Sequence, residues 1–121
     1  MKFGLKEIRI EMGMFDFSVL CIVGHRKNVD KYIRWKYNDP NFDSGEHNQR
    51  GFCFARKGYV PVIWIPRKPK TPREYATLAH ECIHAVWDLF VWADMPISRD
   101  TEEVMTHATA HLITTILNKL K

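Results

Sequence analysis

The sequence predicts an α+β fold, because strand-forming segments fill its first half and two long helical patterns fill its last part. The alternation of apolar and polar residues in KEIRIEM is typical of a half-buried strand. The stretch TPRE, with Thr71, Pro72 and Glu74, is a capping pattern that begins a helix near residue 72. We expect one domain over residues 1–121, with a small antiparallel sheet, an N-terminal helix and two C-terminal helices.

The first half of the chain predicts two strands and a helix. KEIRIEM gives a strand over residues 6–12, and FDFSVLCIV gives a second over residues 15–23, which Gly24 ends. Apolar residues at helical spacing predict a helix over residues 27–38. The polar segment over residues 38–51 is predicted to be a loop.

The segment FCFARKGYVPVIWIP predicts a β-hairpin that turns at Arg56-Lys57-Gly58. Pro61 lies inside the second strand of this hairpin. Because proline has no N–H group to donate to a neighbouring strand, we expect residues 60–65 to form an edge strand.

Two helices are expected after the hairpin. The first runs from residue 72 to about Asp94, before Pro96, and the second runs from near Ser98 or Asp100 to about Lys119. Their apolar faces should pack on the sheet, and that of the second helix should consist of Met105, Leu112, Ile116 and Leu120.

The composition predicts a cytoplasmic protein with no membrane partner. The start of the chain lacks the apolar region of a secretory signal, and no apolar run is long enough to span a membrane. Cys21, Cys53 and Cys82 are expected to be reduced core residues. A nucleic-acid partner is not favoured, since the net charge is only +4 and no aromatic residue interleaves the basic run over residues 67–73.

The central motif is His80-Glu81-Cys82-Ile83-His84. Histidines at positions i and i+4 of a helix point the same way, so both imidazoles can reach one zinc ion. Glu81 is rotated by about 100° from His80, which suits a general base better than a ligand. The alternative is a helix that carries two histidines by coincidence.

A catalytic zinc needs a third protein ligand, for which Asp100, Glu102, Glu103 and His107 are the candidates. Glu103 is preferred because it follows His84 by 19 residues, which lets the first helix end and the second return antiparallel to it. His107, one turn further, could donate a hydrogen bond to Glu103 or stabilise an oxyanion. A solvated helix face is the alternative for the polar stripe of Glu103, His107 and His111.

Several other side chains are weaker candidates for a role at this site. Asp88, one turn after His84, could orient a ligand imidazole or could simply be solvated. A donor to the transition state could come from any of four residues, among which the sequence does not choose: Tyr59, Tyr75, His25 and His47.

The motif HECIH followed by 18 residues and Glu103 resembles the gluzincin branch of the zincin metallopeptidases. The resemblance implies that His80, His84 and Glu103 hold zinc and that Glu81 is the catalytic base. The metzincin pattern does not fit, because Trp87 and Phe90 replace its glycine and third histidine. Residues 50–120 are also similar to small metallopeptidases encoded by bacteriophages and prophages.

Zincins typically bind substrate as an added strand at a sheet edge, which makes the backbone groups of Val62 and Trp64 candidates for substrate binding. A proline-blunted edge that resists aggregation is the alternative.

The functional hypothesis is therefore a zinc-dependent peptidase in which zinc activates water and Glu81 is the general base. Its partner is a protein or peptide substrate, and a phage-encoded protein would act in the host cytoplasm. One alternative is a non-catalytic, zinc-stabilised binding or structural module of a phage. Another is a regulatory peptidase that acts on one repressor-like protein. The sequence indicates neither the substrate nor the oligomeric state.

Overall fold

The computed structural model describes residues 2–45, 50–56 and 59–121 of the chain. Its elements follow the predicted order of strands, helix, hairpin strands and two final helices, which confirms the α+β class. The strands are β1 (Lys6–Met12), β2 (Phe17–Val23), β3 (Phe52–Phe54) and β4 (Val62–Ile65). The helices are α1 (Val29–Lys36), α2 (Pro72–Trp92) and α3 (Glu102–Lys119).

The sheet is mixed, and the prediction of a purely antiparallel sheet is wrong for one strand pair. The strand order is β1-β2-β4-β3. β1 pairs with β2 and β3 pairs with β4 in antiparallel fashion, whereas β2 and β4 run parallel. Parallel neighbours require a long crossover. The connection between β2 and β4 contains α1 and β3.

β4 is a central strand, so the expectation that residues 60–65 form a sheet edge is wrong. Val62 is paired with Leu20 on one side and Phe54 on the other, and Trp64 is paired in the same way with Ile22 and Phe52. Pro61 does not interrupt this ladder because it precedes the first residue of β4, where a proline is tolerated. The edge beside β4 is β3.

The sheet is covered by helices on both faces. On one face, the core joins Leu20, Ile22, Val62 and Trp64 to the buried residues of α1. On the other face, a larger core joins β1, β2 and β4 to α2 and α3, including Leu78, Cys82, Ala85, Val86, Leu89, Phe90, Ala108, Leu112 and Ile116. Both C-terminal helices therefore pack on the sheet, as predicted, and they share one of its faces.

The helix boundaries follow local chemistry. Thr71 caps α2 by accepting a hydrogen bond from the Glu74 N–H, and the Glu74 carboxylate accepts one from the Thr71 N–H, which completes the predicted capping box. α1 is shorter than predicted at both ends, because a 3₁₀ turn, Arg26–Asn28, precedes it and the helix ends at Lys36. The predicted turn at Arg56-Lys57-Gly58 includes Lys57 and Gly58, which lie outside the described residues.

Two further expectations concern the cysteines and membrane spans. None of the three cysteines is in a disulfide, and Cys21 and Cys82 are buried, while Cys53 is half-buried. Among the described helices, none has the length and apolar character needed to cross a membrane.

Candidate metal centre

The histidines of the motif lie side by side on α2. The Nε2 atoms of His80 and His84 are 3.2 Å apart, and their ring planes are nearly perpendicular. Both side chains are exposed, because they lie outside the apolar face of α2 that packs on the sheet. The i, i+4 spacing thus brings two ligand-type nitrogens together at the surface, as the motif predicts.

Glu81 is buried beside this histidine pair, with 8% of its surface exposed. One possible ligand atom from each of His80, Glu81 and His84 lies within 4.8 Å of the others. Burial raises the pKa of the Glu81 carboxyl, while the charges of His80 and His84 act to lower it. A carboxylate whose pKa is raised accepts a proton more readily, which suits a general base.

The spacing of the donors fits a zinc ion. Two nitrogens bound to a tetrahedral zinc at about 2.0–2.1 Å lie about 3.3–3.4 Å from each other. The observed separation of 3.2 Å between the histidine Nε2 atoms is close to this value. The same separation also fits a hydrogen bond between two neutral rings, so the fit rests on the whole group of two imidazoles and one buried carboxylate.

Glu103, the residue expected to be the third ligand, is not part of this group. Its carboxylate lies 3.2 Å from His107 Nε2, and its side chain is 84% exposed. Glu103 is exposed because α3 packs on the core through its opposite side, which carries Ala108, Leu112 and Ile116. At about 100° per residue, Glu103 lies about 180° from Leu112, on the solvent side of the helix.

The other predicted residues also lie apart from the histidine pair. His107 interacts with Glu103, as expected, but its side chain is 81% exposed. Val62 and Trp64 are buried, and each is paired with a residue of β2 on one side and of β3 on the other. Their backbone groups are therefore not available to bind a peptide strand. His25 accepts a hydrogen bond from the Lys27 N–H, and Tyr59 packs on Tyr37. His47 lies outside the described residues.

An open recess of about 460 Å³ lies between the edge strand β3 and α2. We call it the acidic recess, and its lining includes Phe52, Cys53, Glu81, His84 and Asp88. Burial raises the pKa of Asp88, and the charge of His84 lowers it. The Cys53 thiol lies 4.0 Å from the Asp88 carboxylate, and burial raises the pKa of this thiol.

A second open recess, of about 440 Å³, lies on the other side of Glu81. We call it the arginine recess, and its lining includes Arg50, Gly51, Arg73, Thr77, His80 and Glu81. Gly51 and Glu81 line both recesses, so the two recesses adjoin each other at this carboxylate.

The sequence did not single out Gly51, Cys53, Arg50 or Arg73 as part of this site. All except Arg73 come from the segment before or within β3, far from the motif along the chain. Arg73 precedes His80 by seven residues, or about two helical turns, so helical spacing could have placed it on the same face.

Comparison with known proteins gives no family assignment. No family model matches the chain, no curated protein matches its sequence, and no solved structure matches its fold.

Proposed function

We propose that this chain is a zinc-dependent peptidase that acts in the cytoplasm on a protein or peptide substrate. The observation that carries the proposal is the 3.2 Å approach of the His80 and His84 Nε2 atoms beside the buried carboxylate of Glu81. His80 and His84 would hold the metal. When bound, zinc would polarise the peptide carbonyl and lower the pKa of the attacking water.

Glu81 supplies the proton transfers in this proposal. Its carboxylate would take the proton of the attacking water and pass it to the leaving amine. Burial supports this role in two ways: it raises the pKa of the carboxyl, and it fixes the side chain between Gly51 and the histidine pair. A fixed base avoids the entropy cost of positioning it during the reaction.

β3 provides the place for an extended substrate. It pairs only with β4 among the described strands, so its other edge has no strand partner there and could pair with a peptide strand. The acidic recess separates this strand from His84 and Glu81. A peptide that pairs with β3 through main-chain hydrogen bonds would therefore lie next to the histidine pair.

The test compares Glu81→Gln with His80→Ala in zinc-loaded protein. A proteome-derived peptide mixture is incubated with each variant, and new termini are counted by mass spectrometry. Glu81→Gln should keep the fold and the metal but cut about 10²–10⁴-fold more slowly, because it removes one general base. His80→Ala should lose both metal and cleavage. Cleavage by Glu81→Gln at the wild-type rate would rule out the proposed base.

A non-catalytic, zinc-stabilised binding module is the second candidate. It is favoured by the composition of the donor group, which contains Glu81 and no further carboxylate in the described part of the chain. If Glu81 were itself the third ligand, it could not act as a base. In that case Glu81→Gln would weaken zinc binding and lower the melting temperature of the zinc-loaded protein.

A further inference from the structure

The two sides of the histidine pair carry opposite charges. On the His84 side, the acidic recess contains Asp88 as well as Glu81. On the His80 side, the arginine recess contains Arg50 and Arg73 besides Glu81. A peptide lying across both recesses would therefore meet Asp88 at one end, Glu81 between the recesses and two guanidinium groups at the other end.

The close approach of Gly51 to α2 explains how Arg50 reaches this site. A Cβ atom on Gly51 would lie only 2.9 Å from Thr77 Cγ2 and 3.0 Å from the Trp64 carbonyl oxygen. Because glycine has no Cβ, the chain can pass directly beside Thr77 and Glu81. Arg50, the preceding residue, is thereby held in the same recess as Arg73 of α2.

Arg50 and Arg73 also have no partner of opposite charge among the described residues. The nearby Arg67 differs, because its Nε donates to the Glu74 carboxylate at 2.7 Å. All three arginines line a neighbouring recess of about 410 Å³, together with Glu74, the partner of Arg67. Arg50 and Arg73 line the arginine recess as well. Within the described part of the chain, two positive charges without an ion-pair partner thus lie beside His80.

We propose that Arg50 and Arg73 form a subsite for an aspartate or glutamate side chain of the peptide substrate. The position of the subsite relative to the cleaved bond rests on the proposed peptidase function, whereas the binding of an acidic peptide does not. A guanidinium group matches a carboxylate through two parallel hydrogen bonds, so two arginines select acidic side chains over neutral ones.

A carboxylate fits this recess better than the phosphates of a nucleic acid. Binding of a single strand uses aromatic side chains on which bases stack, together with a basic groove. No Phe, Tyr or Trp side chain lines the arginine recess among the residues that the structure describes, and the acidic recess next to it would repel a second phosphate. The charge of the site changes sign over a short distance, which suits a peptide of mixed charge.

Binding is measured with three fluorescein-labelled octapeptides that differ only at two central residues: Glu-Glu, Gln-Gln or Lys-Lys. The protein is the zinc-loaded Glu81→Gln variant of the full chain, which avoids turnover, and the readout is fluorescence anisotropy at low salt. The Glu-Glu peptide should bind about tenfold more tightly than the Gln-Gln peptide and lose this advantage as salt is raised. Equal binding of the three peptides, or no binding of the Glu-Glu peptide, would overturn the subsite.

Arginine variants in the same background assign the effect to the two side chains. Arg50→Gln and Arg73→Gln should each weaken binding of the Glu-Glu peptide about threefold to fivefold, and Arg73→Glu should favour the Lys-Lys peptide. Arg99→Gln is the control, because this exposed arginine precedes α3 at the other end of α2. Unchanged binding by the Arg50 and Arg73 variants would overturn the proposal, as would displacement of the Glu-Glu peptide by a far tighter-binding RNA oligonucleotide.

The same peptides separate this proposal from the peptidase function. If the wild-type protein binds the Glu-Glu peptide selectively through Arg73 but cleaves none of the peptides, the subsite stands and the peptidase does not. If it cleaves the Glu-Glu and Gln-Gln peptides at equal rates, the peptidase stands and the subsite does not.

Discussion

The Nε2 atoms of His80 and His84 lie 3.2 Å apart on the exposed side of α2, one helical turn from each other. This relationship depends only on the helix that carries both residues. It therefore survives changes elsewhere in the chain, which makes metal binding the first property to measure.

One zinc ion per chain should bind to the wild-type protein, and either His80→Ala or His84→Ala should abolish stoichiometric binding. Zinc at a hundredfold excess over its dissociation constant should stabilise the fold by about 2.7 kcal/mol, seen as a higher melting temperature. Elemental analysis and thermal unfolding measure the two effects. His107→Ala is the matched control, and stoichiometric zinc in His84→Ala would show that the histidine pair is not the site.

Glu103→Ala should leave the zinc affinity nearly unchanged, because the Glu103 side chain lies on the solvent side of α3. Glu102→Ala, the neighbouring carboxylate, should behave in the same way. Competition with a zinc chelator measures both affinities. A loss of tenfold to a hundredfold in Glu103→Ala alone would show that Glu103 reaches the metal and that α3 turns when zinc binds.

Gly51→Ala should destabilise the fold by about 1–3 kcal/mol, because the new methyl group would clash with the Thr77 side chain and the Trp64 carbonyl. Gly13→Ala is the control, since a Cβ there meets no atom within 4 Å. Urea unfolding of both variants gives the two free energies. Equal stability of the variants would mean that the segment before β3 does not pack against α2 as described.

Acid should remove the stabilising effect of Glu74. Hydrogen bonds from Arg67 and from the Lys70 and Thr71 N–H groups lower the pKa of this carboxyl to about 2. Because the pKa is lower in the folded state, the stabilisation is present above the unfolded value of 4.5 and is lost as the pH falls toward 2. Glu74→Gln should therefore be less stable than wild type at pH 7, with the difference shrinking below pH 4.5.

Arg67→Gln tests the cause of this effect. The variant should reproduce part of the destabilisation of Glu74→Gln at pH 7, and the double variant should cost less than the sum of the two single changes. Strict additivity of the two changes would show that the Arg67 hydrogen bond to Glu74 does not contribute.

The sequence by itself determined the order of the strands and helices and the histidine pair of the candidate metal centre. α2 begins at residue 72, directly after the capping box, and ends at residue 92, before a turn. The HExxH spacing brings two histidines together on any regular helix. β1 was predicted over its observed residues, because alternation along a strand is visible in the local sequence. All of these features depend on residues within a few positions of one another.

Only the tertiary structure decided which strand forms the edge and which distant segments line the recesses beside the histidine pair. Pro61 suggested an edge, but pairing with Leu20 and the other residues of β2 made β4 central. By contrast, the sequence did indicate the core-facing side of α3, because Leu112 and Ile116 were predicted to be buried and are buried. Glu103 lies about 180° from Leu112 and is therefore on the solvent side. The approach of Gly51 to Thr77 likewise joins segments distant along the chain. Strand order and contacts between distant segments depend on packing across the fold, which local patterns do not specify.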